Sequence, residues 1–159
     1  MKKVNIGITE QNCRNTVEIL QGLLSDEYVL YTKTRNYHWN VVGPHFNDYH
    51  KAFEEQYGGL SDDIDDIAER IRSLGYKVES TLSAFQKNSK IKEHPGEYSD
   101  AKTMAMNLLE DHEIIVQNIR QVIPKIGDEF GDVGTEDFLT SLMEKHEKTA
   151  WMLRSILEA

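Results

Sequence analysis

Cysteine is nearly absent: Cys13 stands alone in 159 residues. No internal disulfide can form, and no Cys-x-x-Cys pair exists to hold zinc or run thiol redox chemistry, which suits a reducing cytoplasm. Nowhere does the chain approach the roughly 18 to 20 consecutive apolar residues of a membrane span, and its polar start, Met1-Lys2-Lys3-Val4-Asn5, lacks the apolar run of a secretory signal. A soluble, cytoplasmic protein with no membrane partner is expected. Positive charge is also scarce, 18 basic against 27 acidic residues and a formal net charge of -9, a balance that opposes nucleic acid and anionic lipid and favours cations as partners. Proline occurs three times, at Pro44, Pro95 and Pro124, and the long stretches between carry helical rather than alternating apolar spacing, which argues against a sheet.

What is present reads as four helices in one domain spanning 1–159, with a short N-terminal arm of about nine residues. Val17, Leu20, Leu24, Tyr28, Tyr31, Arg35 and His38 recur at steps of three and four, one stripe of a first long helix. Gly43-Pro44 breaks it, and Pro44 is suited to start the second, because a first-turn residue needs no N–H. Phe46, Phe53, Tyr57, Leu60, Ile64 and Ile71 share a face of that helix, and Leu74-Gly75 closes it with a glycine cap. From Tyr76 to Tyr98 the pattern weakens into a crossover, where Leu82 and Phe85 anchor a short helix. Ser99-Asp100 caps a third helix carrying Met104, Leu108, Ile115, Ile119 and Val122, which Pro124 kinks or ends. After an acidic turn from Gly127 to Gly134, Thr135 caps a fourth with Phe138, Leu142, His146, Ala150, Leu153 and Leu157. Two long hairpins joined by a long crossover make an all-α, ferritin-like four-helix bundle.

Chemistry concentrates on the second helix. At 100° per residue His50, Glu54, Asp65 and Glu69 fall at about 0°, 40°, 60° and 100°, a single sector flanking the apolar stripe. Something other than this chain's own core is expected to cover it. Asp65 and Glu69 lie about 22 and 28 Å along the axis from His50, so one metal ion cannot touch both ends. His38 precedes the Gly43-Pro44 turn and sits at the same end as His50. A two-fold dimer with antiparallel second helices resolves this, His38 and His50 of one subunit facing Asp65 and Glu69 of the other, so that each interface builds two equivalent sites. Glu54, one turn beyond His50, can reach the same site. Imidazole with carboxylate suits Fe(II), and hard carboxylate oxygens suit Fe(III). A single helical histidine is usually a satisfied side chain and an acidic run a solvated face, a reading kept for Asp62 and Asp66. Intrachain di-iron bundles use Glu-x-x-His pairs, and no Glu here is followed by His three positions on.

Asn36-Tyr37-His38-Trp39-Asn40-Val41, Gly43-Pro44-His45-Phe46, His50, Phe53-Glu54 and Asp65-Asp66-Ile67-Ala68-Glu69-Arg70-Ile71 together resemble the Dps family of mini-ferritins, from the first helix to the end of the fourth. The resemblance implies a hollow homododecamer with inter-subunit ferroxidase centres, where Fe(II) is oxidised by hydrogen peroxide in preference to oxygen, Fe(III) mineral is stored and oxidative stress is blunted. It implies that His38 and His50 of one subunit meet Glu54, Asp65 and Glu69 of its two-fold mate, Glu54 standing where Asp is common. Trp39 resembles a family tryptophan beside the site, a radical guard or a packing anchor. Asp128, Asp132, Glu136 and Asp137 correspond to acids lining the family's iron pores, and His45, His94, His112 and His146 are left as structural or surface residues. Two alternatives stand: a DNA-compacting protein, for which Lys2 and Lys3 are a thin basis because phosphate contacts need cations, and a purely structural helical oligomer.

Overall fold

The computed structural model describes residues 4–158 and is helical throughout, with no strand among them. Lys2 and Lys3, the cations of the expected arm, lie outside the described residues. The first helix, α1, spans Glu10–Asn40, and its N-cap Thr9 accepts from the Asn12 N–H. α2 spans Phe46–Ser73, α3 Leu82–Asn88, α4 Ala101–Pro124 and α5 Val133–Leu157. α1 pairs with α2 and α4 with α5, while α3 lies against α1 in the crossover. Gly75 takes φ +92 at the end of α2, and any side chain there would meet Val4, so glycine is required twice over.

The expected stripes converge on one core. Leu20, Leu24, Phe53, Ile67, Ile71, Leu108, Ile115, Leu139 and Leu153 are fully buried. Each such side chain contributes roughly 1.5–3 kcal/mol. The exposed ion pairs Arg120–Glu147 and Arg154–Glu113 between α4 and α5 belong to a class worth at most about 1 kcal/mol. Packing therefore holds that hairpin together. Ile67 belongs to the stripe of α2, whereas Phe46, at the helix's first residue, is 41% exposed.

Three helix ends differ from expectation. Pro44 precedes α2 rather than opening it: His45 takes the left-handed conformation at φ 60 as N-cap, and the Phe46 N–H reaches back to Gly43 O. Pro124 ends α4 without releasing the chain from helical form, because Lys125–Glu129 continues as a π turn in which the Phe130 N–H bonds Lys125 O at 3.1 Å. Asp132, not Thr135, caps α5. Its Oδ1 accepts from the Thr135 N–H at 3.0 Å and its Oδ2 from the Thr135 hydroxyl at 2.7 Å, so Thr135 is the capped residue three positions on. The Arg70 guanidinium closes the same carboxylate at 2.7 Å, joining the end of α2 to the start of α5. Asp132→Ala is expected to lower stability by about 2 kcal/mol, a lost cap, with Asp132→Asn recovering much of it; urea unfolding midpoints at fixed protein concentration measure both.

Candidate metal centre

The α1–α2 turn is short, so the last turn of α1 faces the first turns of α2, and His38 and His50 stack with ring centroids 3.8 Å apart. Their main-chain contacts are reciprocal. His38 Nδ1 lies 2.8 Å from His50 O, and His50 Nδ1 lies 2.9 Å from His38 O. A carbonyl only accepts, so each Nδ1 carries a hydrogen, which leaves Nε2 of each ring as the atom available to a metal ion. Two parallel imidazoles are thereby fixed in the tautomer a metal ligand needs, each oriented by an outer hydrogen bond. His38 is buried and His50 half-buried.

Aromatic side chains frame this end. Phe46 stacks on His50 at 5.0 Å and Tyr57 meets His38 edge-on at 5.2 Å. The Arg35 guanidinium stands over the rings of Tyr31, Trp39 and Tyr57 at 5.4, 4.8 and 5.3 Å, and donates to the Tyr31 hydroxyl at 2.8 Å. Trp39 is 64% exposed, so within this chain it is no buried packing anchor. Trp39, Val42 and Phe46 leave apolar surface uncovered beside the histidines.

Glu54, Asp65 and Glu69 are all exposed, as are Asp62 and Asp66 in their expected solvated role. Within one unbroken α2, Glu54 lies about 6 Å from His50 along the axis and Asp65 about 22 Å. The histidines and Glu54 therefore share one end and Asp65 and Glu69 the other. This regroups Glu54, which the resemblance assigned to the mate: on the helix itself it travels with His50. Among the described residues no group of three or more His, Cys, Asp or Glu side chains within the chain is arranged to hold a metal ion.

The other sequence candidates separate cleanly. Asp128 and Asp137 are exposed and Glu136 half-buried, but Asp132 is 1% exposed and committed to Arg70 and Thr135, which withdraws it from a pore lining. His45 is exposed and pairs loosely with Asp48 at 3.7 Å, while His94 contacts the Tyr37 hydroxyl at 3.2 Å. His112 and His146 are buried in the bundle.

Fold and donor arrangement define the class, and residues 17–159 match the ferritin-like domain family. A low temperature-induced protein of Nostoc sp., itself uncharacterized, is 45% identical over 158 residues, covering 99% of this chain and 88% of its own. The DNA protection during starvation protein of Helicobacter pylori is 36% identical over 142 residues, covering 89% and 98%. The crystal structure of a Dps protein from Vibrio cholerae O1 matches with TM-score 0.91 and 32% identity, covering 99% of this chain and 98% of that one, and that protein is described as a ferritin-like diiron-carboxylate protein. Within the ferritin-like class, the chain belongs to the Dps family. Among the described residues no helix is long and apolar enough to cross a membrane.

Proposed function

We propose that this protein is a cytoplasmic ferroxidase and iron-storage mini-ferritin whose centres form between subunits of a hollow dodecamer, each from His38, His50 and Glu54 of one subunit and Asp65 and Glu69 of its two-fold mate. The observation that carries the reading is the pair of Nε2 atoms freed by the reciprocal carbonyl bonds. Two neutral imidazoles and exposed carboxylates on one helix face are donors suited to Fe(II), and the uncovered Trp39, Val42 and Phe46 give a second subunit an apolar surface to close. Fe(II) is the substrate. Two Fe(II) give up two electrons to one hydrogen peroxide, which takes two protons and leaves as two waters, so no hydroxyl radical escapes; oxygen is the alternative oxidant. Fe(III) then hydrolyses and mineralises inside the shell.

Charge supports the inward supply of iron. With a net charge of -9 and exposed Asp128 and Asp137 beside half-buried Glu136, the chain attracts cations, an effect that weakens as salt rises. Anaerobic loading with Fe(II), then stopped-flow addition of peroxide or oxygen, is the test. Fe(III) absorbance is expected to rise far faster than in buffer, faster with peroxide than with oxygen, with two Fe(II) consumed per peroxide and a spin trap left largely unreacted. Protein that accelerates oxidation by neither oxidant overturns the assignment.

A further inference from the structure

Away from the hairpin turn, each of the four long helices buries an ionisable side chain toward a common centre. Glu27 of α1 is 0% exposed, Asp63 of α2 6%, and His112 of α4 and His146 of α5 2% each. His146 links them: its Nε2 lies 2.8 Å from Glu27 Oε1, and its Nδ1 lies 2.8 Å from His112 Nδ1. Lys145 reaches Asp63 from the outside, and Asp63 carries charge felt by both Glu27 and His146. Burial depresses the basicity of both rings; Glu27 and Asp63 outweigh it at His146 and raise that pKa, while His112, further disfavoured by the charge on His146, is held well below the ordinary value.

The cluster is under-satisfied. Glu27 Oε1 and His146 Nε2 pair with each other at 2.8 Å, but neither Glu27 Oε2 nor His112 Nε2 has a hydrogen-bond partner among the described residues. A buried carboxylate oxygen and a buried imidazole nitrogen left without a partner are costly, and such groups call for a further ligand. A cleft of about 250 Å³ has His112, His146 and Asp63 among its walls, together with Gln56, Lys145 and Thr149; Glu27 lies behind His146 and does not line it. An ion entering the cleft meets His112, His146 and Asp63 directly.

We propose that this interior cluster is a second metal site, separate from the inter-subunit centre, taking a divalent first-row cation such as Zn(II) or Co(II). Glu27 and His146 Nε2 are the ligands, Asp63 is the further carboxylate available from α2, and His112 is a positioning residue that holds His146 through its Nδ1. Oxygen and imidazole donors in a site open to one or two waters suit these ions. The side chains do not already enclose one point at ligating distance; binding replaces the His146 proton with the ion and draws Glu27 onto it, a change of side chains that leaves the helices in place. No Glu-x-x-His pair takes part.

The test uses the assembled protein with the inter-subunit centre disabled by His50→Ala/Asp65→Ala/Glu69→Ala. Anaerobic titration with Co(II) is expected to develop visible d–d absorption that saturates at one ion per subunit and is erased by Zn(II). In that background Glu27→Gln or His146→Gln abolishes the signal, and His112→Asn weakens binding about 10- to 100-fold, the usual effect of losing an outer partner. Helicity and shell size are checked for each variant. If a substitution prevents folding, anomalous diffraction from Zn(II)-soaked crystals of the otherwise unaltered protein decides the matter, by the presence or absence of a peak between Glu27 and His146. A disabled shell that binds no Co(II), binding untouched by Glu27→Gln and His146→Gln, or no anomalous peak there overturns the proposal.

Discussion

Two inactive variants, His38→Ala/His50→Ala and Asp65→Ala/Glu69→Ala, are expected to regain Fe(II) oxidation when dissociated, mixed in equal amounts and reassembled. Each parent lacks one half of every centre. In a mixed dimer the histidines of one subunit meet the carboxylates of the other at one of the two sites, while the second site lacks both halves. Random pairing makes half the dimers mixed, so about a quarter of all sites are whole, and the oxidation amplitude should recover to that fraction of the unaltered protein's. Recovery of none, with mixed dimers demonstrated, rules out ligation across the interface. The position of Glu54 is read from the same experiment. If it acts with His50, adding Glu54→Gln to the histidine-less variant leaves the recovered amplitude unchanged, whereas adding it to the carboxylate-less variant lowers it.

Lys33→Met is expected to destabilise the fold by about 3–5 kcal/mol, because it strands a buried carboxylate. Lys33 Nζ lies 2.7 Å from Asp111 Oδ2 with side-chain exposures of 3% and 7%, bridging α1 and α4. It also donates to Lys92 O at 3.1 Å, fastening the crossover. Burial already pushes the Asp111 carboxyl above its ordinary range, with Lys33 the main opposing influence. Without Lys33 the carboxyl shifts higher still, so the native state holds a proton that the unfolded chain has lost, and stability falls as pH rises. The deficit should therefore be larger at pH 8 than at pH 5. Lys33→Met/Asp111→Leu removes both charges and should restore most of the loss, since a buried ion pair replaced by apolar side chains is commonly near neutral. Urea unfolding at fixed protein concentration reads all three proteins, because assembly shifts apparent stability with concentration.

Much of this architecture was legible in the sequence because one apolar stripe per helix reports its buried face whatever it packs against. The His38/His50 pair was legible for a similar reason: twelve residues spanning one tight turn must bring them to the same end. Their mutual carbonyl bonds were not, since these depend on the register of α1 against α2, which composition does not set. A 1.5 Å rise per residue places Glu54 one turn from His50, a grouping that differs from the one the resemblance implies. The cap of α5 carried a readable signal in Asp132 with Thr135 three positions on, obscured by the density of acids around it. Glu27 continues the Leu20, Leu24, Tyr31 stripe, and its burial follows from that spacing. Asp63 was hidden inside Asp62-Asp63-Ile64-Asp65-Asp66, a run that reads as solvated although Asp63 lies between Leu60 and Ile67 on the buried side. Pairings between distant helices, such as Lys33 with Asp111, left no local trace at all.

The reciprocal bonds between His38 and His50 also bear on entropy. A free histidine side chain must give up its rotational freedom when it takes a ligand, typically about 0.5–1.5 kcal/mol for an immobilised side chain. Here folding has already spent that freedom, because each ring is pinned by the main chain of the opposite helix. The exposed Glu54, Asp65 and Glu69 carboxylates have no such restraint among the described residues, and in the proposed centre they would be ordered on arrival of the ion. The proposed centre would thus combine a stiff half with a compliant half: the imidazoles would set where an ion first lodges, and the carboxylates could change their grip as its charge and preferred bond lengths change, without the helices moving.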